Sequence, residues 1–471
     1  MNTSWLARMV DNVCFVGAGF VGGPTAALIA YHNPNMTVNV VDLNEDRVAT
    51  WNSAHLPIHE PGLGTVSIPA RASNLSFSTR VSESIAEADV VFICVNTPTK
   101  LYGRGAGSSA DLSILESAAG GIAQHAKDGA IIVEKSTVPC GTARMIQDIL
   151  EFHRPDAHFE VLNNPEFLAE GCAVENLMHP DRILIGSSRT AGGAKAAEKL
   201  KGIYAAWVPP ARILTVNTWS SELTKLVANA MLAQRISSIN AVSALCEELG
   251  ADVQELGLAL GADSRLGPRF LHAGVGFGGS CFEKDILNLT YMARSLHMNE
   301  VADYWMGVLD INKYQRQRFG AKVVRALNGS LRGKKIAVLG FAFKDNTNDT
   351  RNSVAAPFIA ELVAEMPAEI SIFDPGCSVS DIEDEIRRMG LNEAQTQRIK
   401  VREQWRDAVA GASAVCILTQ WHHFRYPTKA KDVASLMREP RWVFDGRNVL
   451  DGPTLEGLGF RVRGVGKGLH C

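Results

Sequence analysis

NVCFVGAGFVGGPTAALIAYH (residues 12–32) decides the fold. Residues 12–16 form a short apolar, β-branched run suited to a buried strand. Gly17, Ala18, Gly19, Phe20, Val21 and Gly22 follow at once, and a helical pattern opens directly after them. A second strand, TVNVVD, ends on Asp42, twenty positions past Gly22. Strand, G-x-G-x-x-G, helix, strand and acid in this order predict a dinucleotide-binding βαβ unit. Gly17 permits the tight turn, Gly19 admits a pyrophosphate to the helix N-terminus, and Gly22 lets helix and strand pack closely. Asp42 suits ribose hydroxyls and repels a 2′-phosphate, which favours NAD over NADP. Arg47 either lies along the adenosine or is a solvated helix residue.

Further strands extend this unit. ADVVFICV runs into Val95, Asn96, Thr97, Pro98 and Thr99, and GAIIVEK runs into Ser136 and Thr137. Ligands of a doubly wound sheet sit beyond the carboxyl ends of its strands, so these residues are candidate cofactor or substrate neighbours. Ser136 or Thr137 can also cap the helix ahead of which Pro139 stands. VLNNPEFLAEG (161–171) reads as a strand followed by a helical turn with Asn164 as cap and Pro165 at its first position. Glu166 and Glu170 would then share one face, either as a general base for water or as a solvated pair.

Composition narrows the class. The chain has 471 residues, 46% apolar and 21% charged, with a formal net charge of −3. That length calls for two or three domains. The charge balance gives no global attraction to nucleic acid or to an anionic membrane. No apolar run is long enough to span a bilayer and the first residues lack a signal-peptide core, so a cytoplasmic location is expected. Nine cysteines without a C-x-x-C pair argue against a disulfide framework or structural zinc, and the histidines show no metal spacing, so no metal is expected.

Residues 218–249 keep helical periodicity without Pro or Gly, which predicts one long connecting helix. Lys225 and Asn229 share a face of it and either hydrogen-bond a developing oxyanion or are ordinary helix residues. Downstream, GFGGSCFEKD (276–285) places Cys281 after a glycine run and at a helix start. A helix N-terminus favours thiolate. The glycines would leave room for a substrate against the main chain. Asp285 lies one turn on. Cys281 is either a nucleophile or a small hydrophobe in a turn.

The last third repeats the first theme with KKIAVLGFAFK, EISIFDPG, ASAVCILTQW and RWVFDGRNV. Lys344, Arg351 and Arg447 stand where a phosphate could sit, or are surface charges. The tail GVGKGLHC reads as mobile. The fold class expected is α/β: two doubly wound Rossmann-like domains joined by a long central helix and a helical region.

With these motifs on view, the sequence resembles the UDP-glucose 6-dehydrogenase family of nucleotide-sugar dehydrogenases. The likeness runs from about Asn12 to Gly466 and is carried by GAGFVGGPTAALIA, LPIHEPGL, FICVNTPTK, EKSTVP, NPEFLAEG, NTWSSELTKLVANAMLAQRISSINAVSALCE, GFGGSCFEKDILNL, GFAFK and FDGRNVLDG. The resemblance implies oxidation of UDP-glucose to UDP-glucuronate by two NAD through a thiohemiacetal and a thioester on Cys281. It implies that Lys225 and Asn229 steady the oxygen, that Asp285 supports the thiol, and that Glu166 and Thr137 serve hydrolysis. NAD contacts would be Gly17 to Gly22, Asp42, Arg47, Val95 to Thr99, Ser136, Thr137, Glu170, Cys281 and Arg351. Substrate contacts would be Glu166, Phe167, Leu168, Ala169, Glu170, Lys225, Asn229, Arg265, His272, Phe277, Gly278, Phe343, Lys344 and Arg447. Arg265 would reach a neighbouring subunit, which makes a dimer the minimum unit and a hexamer of three dimers the expected assembly. His272 stands where eukaryotic members usually carry lysine, and Asn346 where an acid is common. Domains would span 1–217 (NAD), 218–328 (central, dimerisation) and 329–471 (UDP-sugar). The nearest alternatives are a GDP-mannose or UDP-N-acetylhexosamine dehydrogenase, or an inactive binding protein on the same fold.

Overall fold

The computed structural model describes residues 10–425 and 430–468. The chain divides into two compact units, one formed by Met1–Ala228 with Leu287–Ser295 and the other by Asn229–Ile286 with Leu296–Cys471.

The first unit carries β1 (Asn12–Val16), β2 (Thr37–Val41), β3 (Leu75–Ser78), β4 (Val90–Ile93), β5 (Ile131–Glu134), β6 (Glu160–Asn163), β7 (Ile183–Ser187) and β8 (Ile213–Asn217). They form one sheet in the order β3-β2-β1-β4-β5-β6-β7-β8. All pairings are parallel except β6 with β7, which meet antiparallel at Asn163 and Gly186. The order reverses between β1 and β4, so the loops after these strands form the ligand edge. Alternation along β1 sends Val13 and Phe15 into one core layer and Cys14 into the other. Phe15 stacks on Phe92 at 4.4 Å, which fixes β1 against β4.

The second unit repeats the plan with β9 (Lys335–Leu339), β10 (Glu369–Phe373), β11 (Ile399–Val401), β12 (Ala414–Ile417), β13 (Trp442–Asp445) and β14 (Arg461–Gly464). Their order is β11-β10-β9-β12-β13-β14, every pair parallel. The doubly wound expectation therefore holds for both sheets. Thr218–Leu249 is a single helix of 32 residues, about 48 Å long at 1.5 Å per residue. Among the described residues no helix is long and apolar enough to cross a membrane.

The C-terminal tail departs from the sequence expectation. Val465 is buried, Gly466 N–H donates to Glu247 Oε1 at 2.7 Å, and Val253 N–H donates to Gly466 O at 2.9 Å. The tail is docked as far as Gly468, because these bonds satisfy backbone groups that mobility would leave to water. Leu469, His470 and Cys471 lie outside the described residues.

Candidate active site

The fingerprint glycines have separable reasons. Gly17 has φ +110, and a Cβ there would stand 2.5 Å from Cys94 O. A Cβ on Gly22 would stand 2.1 Å from Gly17 O, so close packing excludes any side chain. At Gly19 a Cβ would meet nothing within 4 Å. Gly19 therefore faces open space just before helix Gly22–His32, whose N-terminus offers unpaired backbone N–H groups of the kind that bind an anion. Asp42 Oδ2 accepts from Ala18 N–H at 2.9 Å and from Arg47 Nη1 at 3.0 Å, and Oδ1 accepts from Asn44 N–H at 2.9 Å. Three of about four carboxylate acceptor positions are used, which leaves one for a ribose hydroxyl. Arg47 is thus tied to Asp42 rather than simply solvated. Asp42→Ser should raise kcat/KM with NADP relative to NAD by at least about tenfold, since the like charge against a 2′-phosphate is removed. An unchanged cofactor ratio would show that Asp42 does not read the ribose.

Thr97 Oγ1 donates to Thr137 O at 2.6 Å, and Ser136 Oγ donates to Val95 O at 2.8 Å. These bonds join the loops after β4 and β5 at the ligand edge. Asn96 and Pro98 are exposed beside them, and Val95 and Thr99 are half-buried. Neither Ser136 nor Thr137 caps the next helix. Helix Thr142–His153 starts at Gly141, and Glu222 supplies its cap by accepting from Gly141 N–H and Ala143 N–H, both at 2.7 Å.

Residues 164–169 are not helical, which corrects the expected turn carrying Glu166 and Glu170 on one face. Side chains have taken the backbone donors that a helix would use. Leu168 N–H donates to Glu166 Oε2 at 2.8 Å, and Ala169 N–H to Asn176 Oδ1 at 3.0 Å. Gly171 N–H and Ala173 N–H donate to Glu60 at 2.6 and 2.9 Å, and helix Ala173–Met178 begins only there. Glu166 instead meets Lys225, Nζ to Oε1 at 3.0 Å, with the two side chains only 6% and 9% exposed. Thr137 Oγ1 donates to the same Oε1 at 3.3 Å. Phe167 lies 5.6 Å from Lys225 Nζ and 3.8 Å from the Arg182 guanidinium. Glu170 is half-buried. A carboxylate, a hydroxyl and an ammonium thus converge in the first unit, a set able to orient water and stabilise oxygen charge.

In the second unit Cys281 immediately precedes helix Phe282–Ser295, and its carbonyl accepts from Asp285 N–H at 2.9 Å. It is the one exposed cysteine among those described. Asp285 is 1% exposed and accepts from Asn229 Nδ2 at 2.6 Å. Asn229 therefore acts as a donor to Asp285, one helical turn behind the thiol. Burial pushes the thiols of Cys14, Cys94 and Cys140 up to about 12, with Cys94 adding to the shift at Cys14 and Glu222 to that at Cys140. Burial also raises Cys377 and Cys416. Those five stay protonated at neutral pH.

The glycines before Cys281 do not form an open floor for a sugar. A Cβ on Gly276 would stand 2.7 Å from Asn312 Oδ1, on Gly278 2.5 Å from Asn352 O, and on Gly279 2.8 Å from the Phe343 ring. The protein's own atoms fill the space, and Asn312 braces Phe277 through both its N–H (2.8 Å) and its carbonyl (2.9 Å). The run serves to seat the chain tightly so that Cys281 is held in place. Phe277 is itself buried and packs edge-on against Phe282 at 5.6 Å.

Arg447 donates from Nε to Leu418 O at 2.6 Å and from Nη1 to Gly276 O at 2.7 Å. Burial lowers it to about 10, opposed by Asp445, and it stays a cation at neutral pH. Lys344 lies over Phe343 at 5.6 Å. Arg351 pairs with Asp349 at 2.6 Å and Arg265 with Asp263 at 2.6 Å; both side chains are mostly exposed, as is His272. Asn346 has φ +60, a left-handed conformation that asparagine tolerates. Asp374, the acid after β10, is used internally. It accepts from Phe341 N–H, Ala342 N–H and Trp421 Nε1 at 2.6, 2.9 and 3.0 Å. Among the described residues no cluster of three His, Cys, Asp or Glu could hold a metal ion.

The sequence matches the UDP-glucose/GDP-mannose dehydrogenase family throughout: its NAD binding domain over residues 11–208, its central domain over 219–314 and its UDP binding domain over 337–452. UDP-glucose 6-dehydrogenase 1 of Glycine max is 48% identical over 97% of this chain and 97% of its own length. The chain belongs to the UDP-glucose/GDP-mannose dehydrogenase family. UDP-glucose 6-dehydrogenase of Drosophila melanogaster is similar at 47% identity, over 97% of this chain and 96% of its own. A solved UDP-glucose dehydrogenase from Pyrobaculum islandicum superposes with a TM-score of 0.81 at 29% identity, covering 99% of this chain and 100% of that one. Like its family, this chain is an oxidoreductase with NAD as cofactor.

Several residues of this family member escaped sequence reasoning. Glu60, in LPIHEPGL, holds the far end of the 164–172 loop through Gly171 and Ala173. Glu134 and Lys135, at the end of β5, are 0% and 3% exposed, and Glu222 is 1% exposed. For Glu134 and Lys135 the available signal was charge at the end of an otherwise apolar strand, since such groups are rarely buried without a task.

Proposed function

We propose that this chain oxidises UDP-glucose to UDP-glucuronate, one substrate, two NAD and one water giving the carboxylate, two NADH and three protons. NAD, when bound, accepts one hydride in each of the two oxidations, and the Gly17–Gly22 turn, Asp42 and the loops after β4 and β5 would hold it. Lys225 and Asn229, one turn apart on one helix, steady negative charge on the oxygen at C6. After the first oxidation the Cys281 thiolate adds to the aldehyde carbon; the C–S bond forms as the C=O π pair moves to oxygen, which takes up a proton to give the thiohemiacetal. The second oxidation of that adduct leaves a thioester. Glu166, with Thr137, orients the water that attacks its carbonyl; the C–S bond breaks and sulfur leaves as thiolate. Asp285 keeps Asn229 in place and supports the thiol.

The observation that best supports this reading is an exposed Cys281 at a helix start, backed one turn on by a buried Asp285 bonded to Asn229 at 2.6 Å. UDP-glucose is preferred because the relatives named above, near half identity over their full length, carry that substrate in their names. We also assign the divisions 1–217, 218–328 and 329–471, a cytoplasmic location, and at least a dimer, with a hexamer of three dimers as its full form. Exposed Trp219, Met231, Leu245 and Leu249 on the long helix support self-association. Arg265 would complete the neighbouring subunit's site.

Turnover on a panel of nucleotide sugars tests the substrate. NADH is expected from UDP-glucose. NADH only from GDP-mannose or a UDP-N-acetylhexosamine would overturn that choice, and binding without NADH from any sugar would mark an inactive binding protein.

A further inference from the structure

Lys135 is the residue just past β5, between Glu134 and the Ser136–Thr137 pair at the ligand edge. Its ammonium is buried, and burial lowers its affinity for the proton. Placing a lysine there is costly unless its N–H groups are well used. Nζ donates to Asn164 Oδ1 at 3.1 Å and to Asn164 O at 3.3 Å, and lies 3.5 Å from Tyr204 Oη. Tyr204 Oη donates to the same Asn164 Oδ1 at 2.6 Å, while Asn164 Nδ2 donates to Leu184 O at 2.8 Å and Asn164 N–H to Glu134 O at 2.8 Å. Side chain and main chain of Asn164 are thus both fixed, two residues before Glu166.

On the opposite face of the strand end, Glu134 is bonded to Asn163 Nδ2, and Ser221 Oγ donates to Asn163 Oδ1 at 2.5 Å. Ser221 lies one turn before Lys225 on the long helix. Glu134, the last residue of β5, and Lys135, the next, therefore grip adjacent asparagines from two sides. Beyond them the loop has no helical hydrogen bonds to hold its shape.

We infer that Lys135 is a positioning residue for thioester hydrolysis: its grip on Asn164 aims Glu166 at Thr137 and Lys225. It touches none of the reacting atoms. The inference rests on the proposed role of Glu166 in hydrolysis. A loosened loop is expected to slow most the step that Glu166 serves, so that the oxidations outrun hydrolysis.

The test is Lys135→Met, studied by rapid-mixing NADH absorbance and by intact mass of the quenched enzyme. The expected result is a burst of two NADH per site, a steady rate lowered between about tenfold and a hundredfold, and a UDP-glucuronyl mass adduct on Cys281. A slowed first oxidation with no adduct, as a merely structural role would give, overturns the inference. Tyr204→Phe removes one hydroxyl and is judged by the same criterion if the methionine variant does not fold. Glu166→Gln tests the underlying reading separately: without an adduct there, the hydrolytic role of Glu166 fails whatever Lys135 does.

Discussion

Cys281→Ser is expected to abolish steady oxidation of UDP-glucose, by at least about a thousandfold, as losses of a catalytic nucleophile do. NAD and UDP-glucose should bind with unchanged affinity, because the substitution alters one atom of an exposed side chain. A serine hydroxyl is a far weaker nucleophile at neutral pH, and without an activating base it would not form the acyl-enzyme. No other described cysteine can replace the thiol: the rest are buried or half-buried. Steady-state NADH formation beside calorimetric titration checks both halves. Full activity in the serine variant would remove covalent thiol catalysis from the account.

Lys225→Met carries the second large effect, on two observables at once. Lys225 pairs with Glu166 at 3.0 Å with both side chains nearly buried. Removing the ammonium leaves a buried carboxylate without its counter-charge, which costs about 3 kcal/mol. In the proposed mechanism the same loss removes a donor to the C6 oxygen, worth about a hundredfold to a thousandfold in kcat. The double variant Lys225→Met with Glu166→Gln should regain most of the stability and none of the activity. Urea unfolding midpoints and turnover rates separate the two effects. A single variant with wild-type stability would show that the ion pair does not hold the loop.

Much of this was legible in the sequence because periodicity and glycine spacing report backbone geometry. Gly17, Gly22 and Asp42 stand where the fingerprint requires, and the helix from Thr218 to Leu249 has the predicted bounds. What failed depended on side chains from distant positions. Nothing local in NPEFLAEG shows that Glu60, 111 and 113 residues away, takes the backbone donors of Gly171 and Ala173. The glycines of GFGGS looked like an open floor because sequence gives the absence of a side chain, not what fills its place. Asn312, Asn352 and Phe343 fill it. In the sequence Glu134 and Lys135 stand only as the end of a strand, since their partners Asn163 and Asn164 lie 29 residues on.

The most direct test of the central claim is the stoichiometry of the reaction with limiting UDP-glucose and excess NAD, followed by absorbance and by analysis of the sugar product. Retention of the aldehyde on Cys281 until its second oxidation requires two NADH per UDP-glucose and UDP-glucuronate as the only product. One NADH per sugar, with free aldehyde in solution, would contradict it.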